Sequence, residues 1–279
     1  MGGRAVQGSG GRLVLGAILL TTGPAVRLSA QVAPNRTVEY LHPSDIDDAR
    51  ALWVNPAGLG VRREASVYLD LTVADPGAAG RLRQLGAGFN SRGLSGGYQR
   101  DRLEEAGAGV LTGHTYRLGI AASSDGLALG LAAAFYRGGT SATGFDLGAA
   151  YSPPRWAALS AGATLANVGQ PVVRGVRQRV TFVPGLTVRL LAAAAALSTH
   201  ARITPETVVS YSFGLRWRRG SLGLLARLDT DRALRRGAFA FGLMVGGQDQ
   251  VGAVVSTTGD ARTVDAASVY GLSTRPLGR

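Results

Sequence analysis

Ser95 stands in Gly93-Leu94-Ser95-Gly96-Gly97, a match to the G-x-S-x-G spacing that carries the nucleophile of many hydrolases. That chemistry needs a sharp strand-to-helix turn, which lifts the hydroxyl out of a parallel sheet toward a general base. Here the serine sits inside an alternating, glycine-rich segment with no helical pattern after it. The bases on offer are His42, His114 and His200, and no spacing sets any of them beside Ser95 and a carboxylate. His42 also precedes Asp45, Asp47 and Asp48, an oxygen-rich set of the kind that holds a hard cation. It lacks the glycine and the ligand spacing of a calcium loop. It reads better as the start of a helix running to Trp53, capped by Ser44 or Asp45, with acidic residues in the first turn favouring the helix dipole. The chain is therefore expected to hold no catalytic, cofactor-binding or metal-binding residue, and not to be an enzyme.

The elements that would position these residues are strands. From residue 64 onward, apolar residues alternate with small or polar ones. Val209, Tyr211, Phe213, Leu215 and Trp217 interleave with Ser210, Ser212, Gly214 and Arg216. Phe239, Phe241, Leu243 and Val245 interleave with Ala240, Gly242, Met244 and Gly246. A period of two puts each set on its own face of a strand. About fourteen such segments follow one another, each near the nine to eleven residues that a tilted membrane strand needs. They fall at 64–73, 82–90, 93–100, 114–123, 127–137, 144–152, 156–167, 179–190, 191–203, 207–218, 221–230, 237–247, 250–258 and 262–273. Tight turns at 90–93, 123–126, 152–155, 218–221 and 247–250 alternate with longer connections at 74–81, 101–113, 138–144, 167–179 and 229–237. Short turns at one end and longer loops at the other are the habit of an antiparallel up-and-down transmembrane β-barrel. A soluble periplasmic sandwich or solenoid would instead turn the greasy face inward. The opposite face, with sets such as Gly148/Ala150/Ser152 and Ser160/Gly162/Thr164, predicts a narrow or plugged lumen. Tyr68, Tyr98, Tyr116, Tyr136, Tyr151, Trp156, Tyr211, Trp217 and Tyr270 fall near strand ends, where an interfacial girdle would lie.

Composition narrows the partners. The 279 residues include 41 glycines and no cysteine, so disulfides and thiolate metal sites are excluded. The net charge is +12, and all 30 basic residues are arginine. They are scattered over turns and strand ends rather than gathered in an aromatic-interleaved stripe, which argues against nucleic acid. Outer-membrane lipid or lipopolysaccharide phosphates suit them better, and plain solvation suits them best. At the start of the chain, Arg4 and Arg12 precede an apolar core, Leu13 to Leu20, and Leu28-Ser29-Ala30 offers a small-residue cleavage site. The expected organisation is a signal peptide over 1–30, an N-terminal plug or hatch segment over 31–63, and a transmembrane β-barrel over 64–279, placed in the outer membrane of a bacterium.

Just ahead of the first strand stands Asn55-Pro56-Ala57-Gly58-Leu59. Pro56 lacks a backbone donor and Gly58 tolerates positive φ, so the string can turn sharply in a confined space. It resembles the Asn-Pro-Ala-Gly-Leu signature of the FadL-like outer-membrane barrel superfamily, and in size the chain is nearest to PorV/PorQ-like proteins. The resemblance implies a fourteen-stranded barrel with an N-terminal segment tucked into the lumen. Residue-level likeness is confined to the five-residue string, and the chain departs from the group in its compactness and in ending Pro276-Leu277-Gly278-Arg279 without a terminal aromatic. Two functions stay open: passive binding or uptake of a small hydrophobic compound, with Asn55, Pro56 and Gly58 hinging the plug, or a PorV-like barrel that docks secreted proteins or a secretion complex and transports nothing. Neither needs a cofactor.

Overall fold

The structure, a computed structural model, describes residues 38, 40–74, 82–105, 109–138, 141–173, 175–257 and 263–278. The segment read as a signal peptide lies outside these residues. A one-turn helix at Ala51–Val54 and a 3-10 turn at Pro56–Gly60 precede the strands. The strands are β1 (Glu64–Ala74), β2 (Leu82–Ser91), β3 (Leu94–Glu105), β4 (Gly109–Ser124), β5 (Leu127–Arg137), β6 (Ala142–Tyr151) and β7 (Leu159–Val168). After the short pair β8 (Val172–Val173) and β9 (Val176–Arg177) come β10 (Thr181–Leu190), β11 (Ala195–Ile203), β12 (Val208–Arg219) and β13 (Leu222–Asp231). The last three are β14 (Arg236–Gly246), β15 (Asp249–Thr257) and β16 (Val264–Pro276). All but β8 and β9 form one closed antiparallel barrel of fourteen strands, in which β1 pairs with β2 on one side and β16 on the other. Closure removes the unpaired edges that an open sheet would expose.

The pleat sorts the side chains as the alternation requires. Leu94, Leu118, Leu129 and Val251 are each about 60 % exposed on the outside, whereas inward residues such as Ser66, Thr72 and Ser212 are at most 1 % exposed. A broad outer surface of Leu, Val, Ile and Phe is costly in water and favourable against hydrocarbon. The sandwich alternative is excluded, because the greasy side is the outside of a closed barrel.

Connections at one end are tight. Arg92-Gly93 and Asp125-Gly126 both adopt positive φ at their two central positions, the pairing that matches a right-twisted hairpin. At the other end, β3 and β4 run on to Glu105 and from Gly109, so most of the expected 101–113 loop is strand. The expected loop over 167–179 carries the β8–β9 hairpin. The alanine run conceals a turn at 191–194, where Leu191, Ala192 and Ala193 have φ of 52, 52 and 69°. L-residues in that region are strained by roughly 1–2 kcal/mol each. Ala193→Gly should therefore raise the unfolding free energy by about 1 kcal/mol, read as a higher urea midpoint in detergent.

The expected girdle is corrected in part. Tyr116, Tyr151 and Trp156 do face outward, but Tyr68, Tyr136 and Tyr270 point into the lumen and are nearly inaccessible. Tyr68 shares its parity with Ser66, Asp70 and Thr72, so burial of that face carries it inward.

Candidate functional site

The lumen is occupied by the chain's own residues 40–60. Tyr40 packs beside Tyr270, Leu225 and Val254 on β13 to β16. Next along the segment, His42 meets His200 on β11, and Ser44 meets Thr187 on β10 (2.8 Å) and Ser160 on β7, whose hydroxyl donates to the Ser44 carbonyl (2.7 Å). The Ala49 amide donates to Ser66 on β1 (2.9 Å). Leu52 and Leu59 reach the wall near Gly119 on β4, and Asn55 to Ala57 lie against β5 and β6. The segment thus passes round the inside of the wall.

Small residues on the inner face now have a specific cause. A Cβ on Gly148 would collide with Asn55 Oδ1, one on Gly130 with the Pro56 carbonyl, one on Gly162 with the Pro43 carbonyl, and one on Gly214 with His42. These glycines, from four strands, form the track in which the segment lies. Elsewhere the inner face carries larger polar side chains: Arg117 on β4 and Asp146 on β6 pair at 2.7 Å, and Arg227 on β13 pairs with Asp229 at 2.7 Å.

Asn55, Ala57 and Leu59 are fully buried. The Asn55 amide donates to the carbonyls of Pro43 (2.7 Å) and Ala149 (3.0 Å), and its oxygen accepts from the Ala57 amide (3.1 Å). Pro56 opens the 3-10 turn, and Gly58 lies so close to the Ile46 carbonyl that no side chain fits there. The Leu59 carbonyl accepts from Asn90 (3.1 Å), and the Gly60 carbonyl from Ser123 (2.7 Å). Such bonds satisfy the backbone of a non-helical segment away from water.

The expected helix over 44–53 contracts to the single turn Ala51–Val54, which has no side-chain cap. The residues meant to cap it bond to the wall instead. Asp45 pairs with Arg189 (3.1 Å) and Arg216 (2.9 Å), Asp48 with Arg50 (2.6 Å), and Asp47 with Arg62 (2.6 Å). No group of histidines and acids among the described residues is arranged to hold a metal ion. Burial raises the Asp47 carboxyl above its usual range, partly offset by Arg62. His42 Nδ1 lies 2.8 Å from His200 Nδ1, so one ring must donate and the other accept. Burial pushes His42 down to about 3, with the Arg227 cation adding to the effect and Asp229 opposing it.

Ser95 is inward and buried, and its hydroxyl donates to the Phe89 carbonyl (2.6 Å). His114 bonds Tyr98 on the outer face (2.9 Å), and His200 is engaged by His42. The three parts of a hydrolase triad are not brought together. The spacing could not have revealed the His42–His200 pair, which is 158 residues apart in sequence.

Arg117 ties wall to segment most tightly. Its guanidinium donates to the Leu52 carbonyl (3.0 Å) and to Asp146 (2.7 Å) and lies 5.0 Å from the Trp53 ring. Removing one member of a buried pair strands the other charge, at about 3–5 kcal/mol. Asp146→Ala is expected to lower the unfolding midpoint strongly and to speed trypsin cleavage at Arg50 and Arg62. An Arg117→Met/Asp146→Leu double variant should recover much of that loss.

Between the segment and β12 to β16, at the tight-turn end, lies a cavity of about 580 Å³. Leu225, Met244 and Leu272 supply apolar wall; Arg62, Arg216 and Arg218 and the acids Asp45, Asp47, Asp48 and Glu64 supply charge of both signs. Its size is in the range that takes a small organic molecule.

No family model matches the chain, and no curated protein does. Among solved structures, a mutant of the Rhodopseudomonas blastica porin superposes with a TM-score of 0.45 at 10% identity, over 76% of this chain and 99% of that one. A KdgM porin superposes with a TM-score of 0.42 at 11% identity, over 75% and 98%.

Proposed function

We propose that the protein is an outer-membrane barrel, closed at rest by its own residues 40–60, that binds and admits a small hydrophobic compound. The observation that carries this reading is the glycine track with the segment lying in it: an inner wall shaped to receive a plug implies a passage worth closing. The outer apolar surface supports the membrane location, and the cavity beside the segment, with Leu225, Met244 and Leu272 in its wall, supports an apolar ligand. The domain division, with the plug ending at 63 and the barrel starting at 64, belongs to the same reading, as does kinship with the FadL-like group. Binding would be driven by burial of apolar surface, and release by a shift of the plug between two arrangements. Within that picture Asn55 to Leu59 serve better as the plug's anchor than as its hinge, since every one of them is buried and held.

A second reading has its own support. The wall bonds to Ser44, Asp45, Ala49, Leu52, Asn55, Leu59 and Gly60 are numerous enough to favour a barrel that never opens and instead docks secreted proteins. The deciding experiment reconstitutes the full chain in liposomes and follows a fluorescent fatty acid. Saturable binding and entry above that of protein-free vesicles supports uptake. Absence of both, with unchanged uptake of apolar compounds in a deletion strain, refutes it and leaves the docking reading. Fractionation with boiled and unboiled gel samples tests the location separately.

A further inference from the structure

The barrel brings together, on its outer wall, basic residues that are far apart in sequence. Arg100 on β3 is directly opposite His114 on β4, and His114 is directly opposite Arg137 on β5. All three lie at outward positions, because the inward parity belongs to buried Gln99, Asp101, Thr115 and Tyr136. Neighbouring strands are about 4.8 Å apart, so the three cross the wall in a row roughly 10 Å wide. Arg102 extends the row by one outward position along β3. Among the described residues, Arg100 and Arg102 form no ion pair, and the only side-chain bond of Arg137 is to the Tyr136 carbonyl.

Position along the strands says what faces this cluster. Toward the tight turns the same outward rows become Leu118 and Ile120 on β4 and Leu127, Leu129 and Leu131 on β5, all exposed. Between the aliphatic rows and the basic row stands an aromatic step. Tyr98 and Tyr116 are opposite one another with ring centroids 5.3 Å apart, and Tyr98 hydrogen-bonds His114. Aliphatic, aromatic and basic layers in that order mark the passage from hydrocarbon to headgroup. They lie at the end away from the tight turns, which in such barrels is the outer-leaflet side. Unpaired guanidiniums at a hydrocarbon boundary are matched by phosphate, which accepts two parallel N–H donors from each.

We infer that Arg100, Arg102 and Arg137, with His114, form a binding site for the phosphorylated sugar headgroup of an outer-leaflet glycolipid. The inference rests on the outer-membrane reading but not on uptake, and it is read out without transport. The full-length barrel in mixed micelles is titrated with lipid A and followed by native mass spectrometry, with heat-modifiable migration reporting the fold. The wild type should retain lipid A, and Arg100→Gln/Arg137→Gln should weaken retention at least tenfold while remaining folded. Arg155→Gln, in a tight-turn connection, should change nothing. Lipid A stripped of its phosphates should bind the wild type as weakly as lipid A binds the double variant. Equal retention of the stripped lipid, or of lipid A by the double variant, overturns the site. So does full displacement by inorganic phosphate at the concentration of the lipid, which would make it a site for the free anion. A barrel that binds lipid A and fails the fatty-acid assay loses the uptake reading alone.

Discussion

Replacing Gly148 with valine should leave a folded barrel that leaks. Gly148 lies in β6 opposite Gly130 and Thr164, where the ladder depends only on backbone groups and a β-branched residue suits the strand. Its side chain would enter the space held by Asn55 and the Pro56–Ala57 peptide. The ladder cannot give way without unpairing two neighbours, so the N-terminal segment must. Moving Asn55 breaks its bonds to Pro43, Ala149 and Ala57. Buried polar groups left without partners cost about 1–3 kcal/mol each, so three such losses shift the docking equilibrium by at least 100-fold. The expected result is a large rise in ion conductance in planar bilayers and faster trypsin cleavage at Arg50, with heat-modifiable migration unchanged. Gly271→Val is the control, because its Cβ would meet no other atom and stands on the opposite face from Tyr270. A folded Gly148→Val barrel that conducts no more than the wild type would show that residues 40–60 are not the barrier.

That glycine illustrates how far the sequence could be read. Alternation at period two is a local property, so each barrel strand left its own mark, and the fourteen segments found by pattern correspond to the fourteen strands of the barrel. Ends were harder to read where the local chemistry pointed elsewhere. The 191–194 turn has no glycine, proline or asparagine to announce it, and its strain is tolerated because β10 and β11 must reverse there. Asp101, Arg102, Glu104 and Glu105 read as a loop by polarity, although cross-strand pairing with 109–113 extends the hairpin. Small inner residues signalled a narrow lumen. Only the three-dimensional arrangement reveals that four of those glycines from different strands meet four residues of one N-terminal segment. Nearness to a strand end does not tell the two faces apart; parity does, and it carries Tyr68, Tyr136 and Tyr270 inward. The pairing of His42 with His200, and of Asp45 with Arg189 and Arg216, is a product of barrel closure and has no local trace.

Acidification should loosen the packing of residues 40–60 in the lumen through His42. In the docked state burial and Arg227 hold its ring down to about 3, while an undocked, solvated ring titrates near its ordinary 6.5. Above pH 6.5 neither state binds the proton and His42 adds no pH dependence. As pH falls below 6.5 the undocked state gains the proton and the docked state does not, so docking weakens by about 1.4 kcal/mol per unit until pH nears 3. At pH 4.5 the loss is about 2.7 kcal/mol, or roughly 100-fold in the docking equilibrium. Asp47 acts in the opposite sense: its carboxyl is raised in the docked state, so protonation favours docking as pH falls through that raised value. Measuring trypsin cleavage at Arg50 or bilayer conductance across pH 7.5 to 4.5 should show opening that steepens below pH 6.5. His42→Asn keeps a polar group within reach of His200 and cannot take up the proton. It should flatten the profile above pH 5, whereas a wild type and a His42→Asn barrel with the same profile would mean that another group carries the proton.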